Sequence, residues 1–149
     1  MTTVKSLAIF LFLMLILPLN HALSATDNSE FDGRWLWAIY ANDKSELPPA
    51  YQNKPLKDVP EYSLEINIKQ KKNKISGHYL STYRYLSKYE EGDFAATIKG
   101  NTALLKLESG FGGWATVRLK IEQGLLHWTV VKDEEENYFH GNVRLDRVR

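Results

Sequence analysis

The chain has 149 residues, of which 44% are apolar, with 19 lysines and arginines against 18 aspartates and glutamates and no cysteine. This composition predicts an ordinary folded domain rather than a disordered chain. The lack of thiols excludes a disulfide framework, a cysteine nucleophile and a cysteine-ligated metal centre. The near-zero net charge argues against nucleic acid as a partner, because neutralising phosphates requires a surplus of basic residues.

The first segment, Met1–Ala25, has the layout of a secretory signal peptide. Lys5 precedes the apolar run Leu7–Leu17, and small residues surround the two candidate cleavage sites, after Ser24 and after Ala25. The run has about 11 residues, whereas a membrane-spanning helix needs about 20. We therefore expect a cleaved signal peptide, a periplasmic or secreted protein and no stable membrane insertion.

Residues 26–149 are predicted to form a single domain, since they contain neither a Ser/Gly linker nor a repeat. Apolar side chains recur at every second position, as in Tyr62–Gln70, where Leu64, Ile66 and Ile68 share one side. Turn signals separate such runs at hairpin spacing. The eight predicted strands are Gly33–Ala41, Tyr62–Lys71, Lys74–Leu86, Phe94–Lys99, Thr102–Glu108, Trp114–Glu122, Leu125–Lys132 and Tyr138–Arg147.

Eight strands joined mostly by short loops favour an all-β antiparallel meander that closes into a barrel, because closure removes exposed strand edges. A β-sandwich of the same strands is the alternative. This interpretation makes Glu91-Gly92-Asp93 a turn and puts Glu90-Glu91 and Glu134–Glu136 in solvated loops. The all-β prediction is compatible with one helical turn within Tyr83–Glu90.

The alternation alone does not say which side of the wall is apolar, because an outer-membrane barrel has the same period with its apolar side outward. The strands lack aromatic girdles, and the chain ends in Asp146-Arg147-Val148-Arg149 instead of an aromatic residue. We therefore expect an apolar interior.

The exception to short loops is the proline-rich segment 42–61, which contains four prolines and so cannot form a strand ladder. Loops of more than about 12 to 15 residues are usually functional lids or flexible connectors, and both alternatives remain open here. Tyr51, alone among polar neighbours, is the candidate anchor or lid contact.

The sequence shows no motif for catalysis or for metal binding. Ser109 lies in Glu-Ser-Gly-Phe-Gly-Gly rather than in a nucleophile elbow, and His78, His127 and His140 lie on different predicted strands without metal-site spacing. We therefore expect no catalytic residue, no metal and no cofactor, and a binding protein rather than an enzyme.

One candidate binding region is the barrel interior. The start of the first strand, Gly33-Arg34-Trp35, resembles the G-x-W signature of lipocalins and related calycin barrels. The resemblance implies that Trp35 closes one end of the barrel under a basic side chain, and that the protein carries a small hydrophobic ligand. Trp35 and the hydroxyl-bearing Tyr79 and Tyr83 of the third strand are then candidate ligand contacts.

The other candidate is the loop formed by Ser109, Gly110, Phe111, Gly112, Gly113 and Trp114. Its glycines permit positive φ and can push the Phe111 ring outward toward a protein partner. The alternative is that the glycines serve turn geometry and Phe111 caps the core.

With its signal peptide, its size, its all-β meander and its Ser109-Gly110 turn, the chain from Tyr62 to Leu145 resembles the small cysteine-poor barrels of bacterial periplasmic lysozyme inhibitors. The tyrosine that often closes their Ser-Gly motif is missing here. The resemblance implies an inhibitor or immunity-type partner of a cell-wall hydrolase. Ser109 would then offer its hydroxyl to a catalytic carboxylate, and Phe111 would supply contact area.

Overall fold

Eight antiparallel strands pair in chain order, and the last strand also pairs with the first, so the sheet closes into a barrel. The computed structural model describes residues 30–134 and 137–149, and the predicted signal peptide lies outside them. The strands are β1 (Gly33–Tyr40), β2 (Pro60–Lys71), β3 (Lys74–Tyr83), β4 (Lys88–Lys99), β5 (Thr102–Glu108), β6 (Trp114–Glu122), β7 (Leu125–Glu134) and β8 (Asn142–Val148). The predicted barrel is confirmed, and the sandwich alternative is wrong.

The apolar side chains at alternate positions face the interior, as expected. Leu64 and Ile66 of β2 and Val117 and Leu119 of β6 are fully buried. Each buried aliphatic side chain of this size contributes about 1.5 to 3 kcal/mol to folding. The largest fully buried side chains are Trp35, Trp128, Tyr79 and Phe31.

Strand β4 starts six residues earlier than the sequence predicts, and the predicted turn at Glu91-Gly92-Asp93 is wrong. Gly92 pairs with Tyr79 of β3. A Cβ at Gly92 would lie 3.3 Å from the Tyr79 ring. The glycine therefore makes room for an aromatic neighbour within a strand, a role that a sequence pattern does not separate from a turn.

The connection between β3 and β4 is a tight turn at residues 84–87. Arg84, Tyr85 and Leu86 all have positive φ, so the turn is left-handed and the helical turn considered for this stretch is wrong. Left-handed backbone in non-glycine residues costs of order 1 kcal/mol or more each, so the packing around the turn must offset that strain.

The antiparallel order sorts the connections into two ends. The Gly33 end holds the start of β1, the hairpin turns at 72–73, 100–101 and 123–124, and the end of β8. There the Trp35 Nε1–H donates to the Phe31 carbonyl at 2.9 Å, and the Arg147 guanidinium lies 4.5 Å from the Trp35 ring. A cation over an indole face stabilises this closure.

The opposite end, here called the rim end, holds the long β1–β2 loop, the turn at 84–87, the loop 109–113 and residues 137–141. The long loop contains three short 3-10 turns, Lys44–Glu46, Pro49–Tyr51 and Leu56–Asp58. Ala41, Leu47 and Val59 form a second small apolar cluster beneath it. Among the residues described, no helix is long and apolar enough to cross a membrane.

Candidate binding site at the rim end

A buried carboxylate organises the rim end. Strands β4 and β5 pair over only two positions beside their hairpin, so no backbone ladder joins them near the rim. Glu90 of β4 is only 2% exposed there. Its carboxylate accepts hydrogen bonds from the Ser109 hydroxyl, from the Gly110 N–H at 3.0 Å and from the Tyr138 N–H at 3.2 Å. One side chain thus ties together β4, the loop after β5 and the segment before β8.

The energetic consequence is large because a charge without partners is costly to bury. Hydrogen bonds to charged groups contribute about 1.5 to 3 kcal/mol each, so three donors together offset the desolvation of Glu90. The prediction that Glu90 lies in a solvated loop is wrong, because it occupies an inward position of β4 opposite Ser81. Its neighbour Glu91 faces outward, and its carboxylate lies 3.9 Å from His78.

The loop 109–113 is closed by its own backbone as well as by Glu90. The Ser109 N–H donates to the Gly113 carbonyl at 2.8 Å, and the Gly112 N–H donates to the Ser109 carbonyl at 3.1 Å. Of its three glycines only Gly112 has a positive φ, of 101°. One glycine with positive φ therefore suffices to reverse the chain in this loop.

The Ser109 hydroxyl is engaged within the chain. It donates to Glu90 and accepts from the Phe111 N–H at 3.0 Å. The resemblance to lysozyme inhibitors implies that this hydroxyl reaches a carboxylate of a partner. Here it bonds a carboxylate of its own protein and holds Phe111 in place.

Phe111 projects from this loop with 48% of its surface exposed, so it does not cap the core. Its ring meets the edge of Tyr138 with 4.7 Å between centroids, and the Lys88 ammonium lies 4.1 Å from the Tyr138 ring. Tyr89 and Leu86 are also exposed nearby in the chain. We call these five residues, Leu86, Lys88, Tyr89, Phe111 and Tyr138, the aromatic rim.

A surface pocket of about 290 Å³ lies within the aromatic rim. Its lining residues are Ser87, Lys88, Tyr89, Glu90, Glu91, Gly110 and Phe111. The pocket therefore combines ring faces with an ammonium group and a carboxylate edge, a mixture that suits an inserted protein side chain.

The segment 137–141 fills the mouth of the barrel, which explains why β8 begins at Asn142 and not at Tyr138. Phe139 packs on Tyr79 with 5.9 Å between ring centroids. His140 stacks on Tyr83 at 4.2 Å and meets the edge of Trp37 at 4.8 Å. Since Tyr83 also contacts Tyr138 at 5.8 Å, a continuous row of rings runs from the rim into the mouth.

The hydrogen bonds of His140 fix which ring nitrogen carries a hydrogen. Its Nε2 lies 3.1 Å from the carbonyl oxygens of both Ser63 and Thr82. Because carbonyl oxygens only accept, Nε2 must carry a hydrogen and donate. Burial lowers the pKa of His140 below its usual value of 6.5, and the hydrogen bonds to Thr82 and Ser63 oppose that shift. The folded protein therefore favours the neutral ring.

A pH dependence of stability follows from the lowered pKa of His140. As the pH falls below about 6.5, the unfolded chain binds a proton on His140 while the folded protein does not, so the free energy of unfolding decreases. The loss proceeds by at most about 1.4 kcal/mol per pH unit and ends below the folded pKa. Urea unfolding between pH 7.5 and 5 should show this slope in the native protein and lose it in His140→Gln.

His78→Gln serves as the control, since His78 is exposed on the outer face of β3 beside Asp93. The slope assigned to His140 should persist in this variant, because the buried ring is left in place. A slope that survives in His140→Gln would assign the pH dependence to other groups.

The remaining predicted site residues lie away from the aromatic rim. Trp35 closes the opposite end of the barrel, and Tyr51 packs on the cluster of the long loop. Trp114 lies on the outer face of β6, where its Nε1–H donates to Glu134 at 3.2 Å. Tyr79 is buried in the interior, where burial first and then the charges of Glu90 and Glu91 raise its pKa to about 12.

Sequence reasoning missed Glu90, Tyr138 and His140. The signal for Glu90 was present, because Glu90, Gly92 and Phe94 continue the inward alternation of β4 back toward the rim. No sequence signal marks Tyr138, since its role depends on a carboxylate 48 residues earlier in the chain.

Within residues 30–134 and 137–149, no group of three or more histidine, aspartate and glutamate side chains is placed to hold a metal ion. Comparison with protein-family models, with curated proteins and with solved structures gives no match. The geometry itself defines a closed eight-stranded antiparallel barrel with an aromatic rim built on a buried glutamate.

Proposed function

We propose that this protein acts by binding, without catalysis, and that it engages a protein partner through the aromatic rim. The observation that carries the proposal is the loop 109–113, which Glu90 anchors so that it presents a half-exposed Phe111. Aromatic anchors that become buried on binding carry much of the energy of many protein interfaces, and a half-exposed ring on a fixed loop can act as one.

Preorganisation supports this function. The Ser109 hydroxyl and the Gly110 N–H are fixed by hydrogen bonds, so the loop is already ordered before a partner arrives. Ordering a flexible loop on binding costs affinity, and a loop that is already ordered avoids that cost.

The rim end also lacks some of the stability it could have, because leaving the Phe111 ring half in water forgoes part of the ~1.5 to 3 kcal/mol that its burial would contribute to folding. The left-handed turn at Arg84–Leu86 adds strain at the same end.

The partner we propose is a periplasmic cell-wall hydrolase of the lysozyme kind, with the protein as its inhibitor or immunity-type partner. The predicted signal peptide and the resemblance of the Ser109-Gly110 turn support it. In this proposal Phe111 enters the partner's cleft and Lys88 meets a carboxylate at its edge. Ser109 then positions the loop and does not itself contact the partner.

Carriage of a small hydrophobic ligand has less support. The interior holds the fully buried rings of Trp128 and Tyr79, and Phe139 and His140 occupy the mouth. A carrier would need to displace this packed set, and core substitutions of similar size cost several kcal/mol.

Truncation of Phe111 tests the proposed interface. Phe111→Ala should weaken binding to the captured partner by more than 1 kcal/mol, a fivefold or larger increase in Kd, and leave the Tm unchanged, because half of the ring already lies in water. Isothermal titration calorimetry with the partner isolated from a periplasmic extract measures the first quantity, and thermal melting measures the second.

The matched control is Leu104→Ala, since Leu104 is 60% exposed on the outer face of β5, away from the rim. It should bind as well as the native protein. A lower Tm with intact binding in Phe111→Ala would assign the ring to the core. Equal losses in both variants would remove the aromatic rim as the interface. Inhibition of a purified lysozyme in a cell-wall lysis assay tests the partner class separately.

A further inference from the structure

The Gly33 end of the barrel carries a second surface, unrelated to the aromatic rim. Five exposed lysines lie on the hairpin between β2 and β3 and on the adjacent end of β4. We call this surface the basic hairpin, and its residues are Lys69, Lys71, Lys72, Lys74 and Lys99.

The strand register brings these charges together on one face. Lys71 and Lys74 are directly opposite each other in the β2–β3 ladder, and Lys74 pairs with Thr97, two positions before Lys99 on β4. Like charges directly across a ladder are destabilising. The fold therefore retains an arrangement that costs stability.

The lysines are not neutralised by the part of the chain that the structure describes. The ion pairs that lysines and arginines form there join Arg34 to Glu65, Lys120 to Glu122 and Lys132 to Glu134, and none involves the basic hairpin. All five ammonium groups are thus available to an external anion.

A groove of about 690 Å³ runs beside these lysines across β2, β3 and β4. Lys69, Lys71 and Lys74 contribute to its lining, and Ala95 and Ala96 give it a small apolar portion. Ammonium groups next to small apolar side chains match an amphipathic anion, which carries a phosphate next to hydrocarbon.

We propose that the basic hairpin docks the protein on an anionic lipid membrane surface, without insertion of the barrel. The lysines contact lipid phosphates, and the groove receives the glycerol and upper acyl region. A phosphate polymer such as nucleic acid would use the charges but leave the apolar part of the groove without a partner. Because the basic hairpin and the aromatic rim lie at opposite ends of the barrel, docking would turn the rim away from the membrane.

Vesicle flotation tests this proposal with the full chain. Vesicles of 30% phosphatidylglycerol in phosphatidylcholine should bind the native protein more tightly at 0.1 M salt than pure phosphatidylcholine vesicles do. Each lysine at an anionic surface contributes roughly a fivefold factor. Lys71→Gln/Lys72→Gln/Lys74→Gln should therefore bind about 100-fold more weakly.

The control replaces the same number of exposed lysines at the rim end, Lys44→Gln/Lys54→Gln/Lys57→Gln, and should bind like the native protein. Both variants keep the same N-terminal segment, so any affinity of that segment for bilayers cancels in the comparison. The hairpin variant should also keep or raise its Tm, because it removes the repulsion between Lys71 and Lys74.

Three results would overturn the proposal. The first is equal binding to neutral and anionic vesicles. The second is an equal loss in both triple variants, which would assign binding to net charge. The third is tighter, hairpin-dependent binding to a soluble anion, with heparin and a single-stranded oligonucleotide as probes. None of these results bears on the aromatic rim, whose test uses a protein partner.

Discussion

Replacement of Glu90 by glutamine should lower the free energy of unfolding by about 2 to 3 kcal/mol. The amide keeps one acceptor oxygen but turns an NH₂ group toward donors, and the three donors are the Ser109 hydroxyl, the Gly110 N–H and the Tyr138 N–H. At least one buried donor then faces another donor. Urea unfolding at pH 7 measures the loss, and hydrogen exchange at the Gly110 and Tyr138 amides should quicken locally.

Glu91→Gln is the matched control for this change, because the two glutamates are adjacent and have opposite orientations. The Glu91 side chain is 54% exposed and its closest ionic contact is His78 at 3.9 Å, so its loss should change stability by less than about 0.5 kcal/mol. Similar values for both variants would mean that the Glu90 carboxylate does not hold the rim together. If the Glu90 carboxylate does hold the rim together, Glu90→Gln should also weaken partner binding, although Phe111 itself is not substituted.

Gly77→Ala should destabilise the barrel by at least about 3 kcal/mol, because the new methyl group has no space. A Cβ at position 77 would lie 2.0 Å from the backbone oxygen of Asn67 and 2.7 Å from Cζ of Phe94. Gly77 pairs with Phe94 in the β3–β4 ladder, so the ring covers the glycine and the wall can bend sharply there. Thermal and urea unfolding of the purified variant measure the effect.

Two further variants separate backbone from side-chain crowding at this site. Gly141→Ala should be neutral, because nothing lies within 4 Å of a Cβ at that position. Gly77→Ala should cost nearly as much in a Phe94→Ala background as in the native protein, since the Asn67 oxygen belongs to the backbone and cannot move aside. A much smaller loss in the Phe94→Ala background would place the conflict in the Phe94 ring alone.

The sequence predicted the parts of the fold that depend on local alternation. Both ends of β5 and β6 coincide with the predicted strands Thr102–Glu108 and Trp114–Glu122, because turn residues bracket a clean period of two. The start of β4 was missed because Glu91-Gly92-Asp93 has the composition of a turn. Its glycine is explained only by the Tyr79 ring across the ladder.

In the candidate site, too, some features were predicted from the local sequence and others are seen only in the tertiary structure. The sequence singled out the loop Ser109–Trp114 from its glycines and its phenylalanine. It could not show that Ser109 bonds Glu90, which lies 19 residues earlier, or that Trp114 faces the other side of the wall toward Glu134. Nor could it identify Leu47 and Val59 as the buried residues beneath the long loop, where Tyr51 was the candidate anchor.

The sequence by itself determined that the chain forms short strands, because a period of two is a property of neighbouring residues, and the short turns between the strands predicted their antiparallel order. Only the tertiary structure decided that Glu90 is buried and that the loop 109–113 is fixed in place. A carboxylate can leave water only when several donors meet it, and here those donors come from two segments far apart in the chain. Barrel closure brings them together, and no local pattern encodes that meeting.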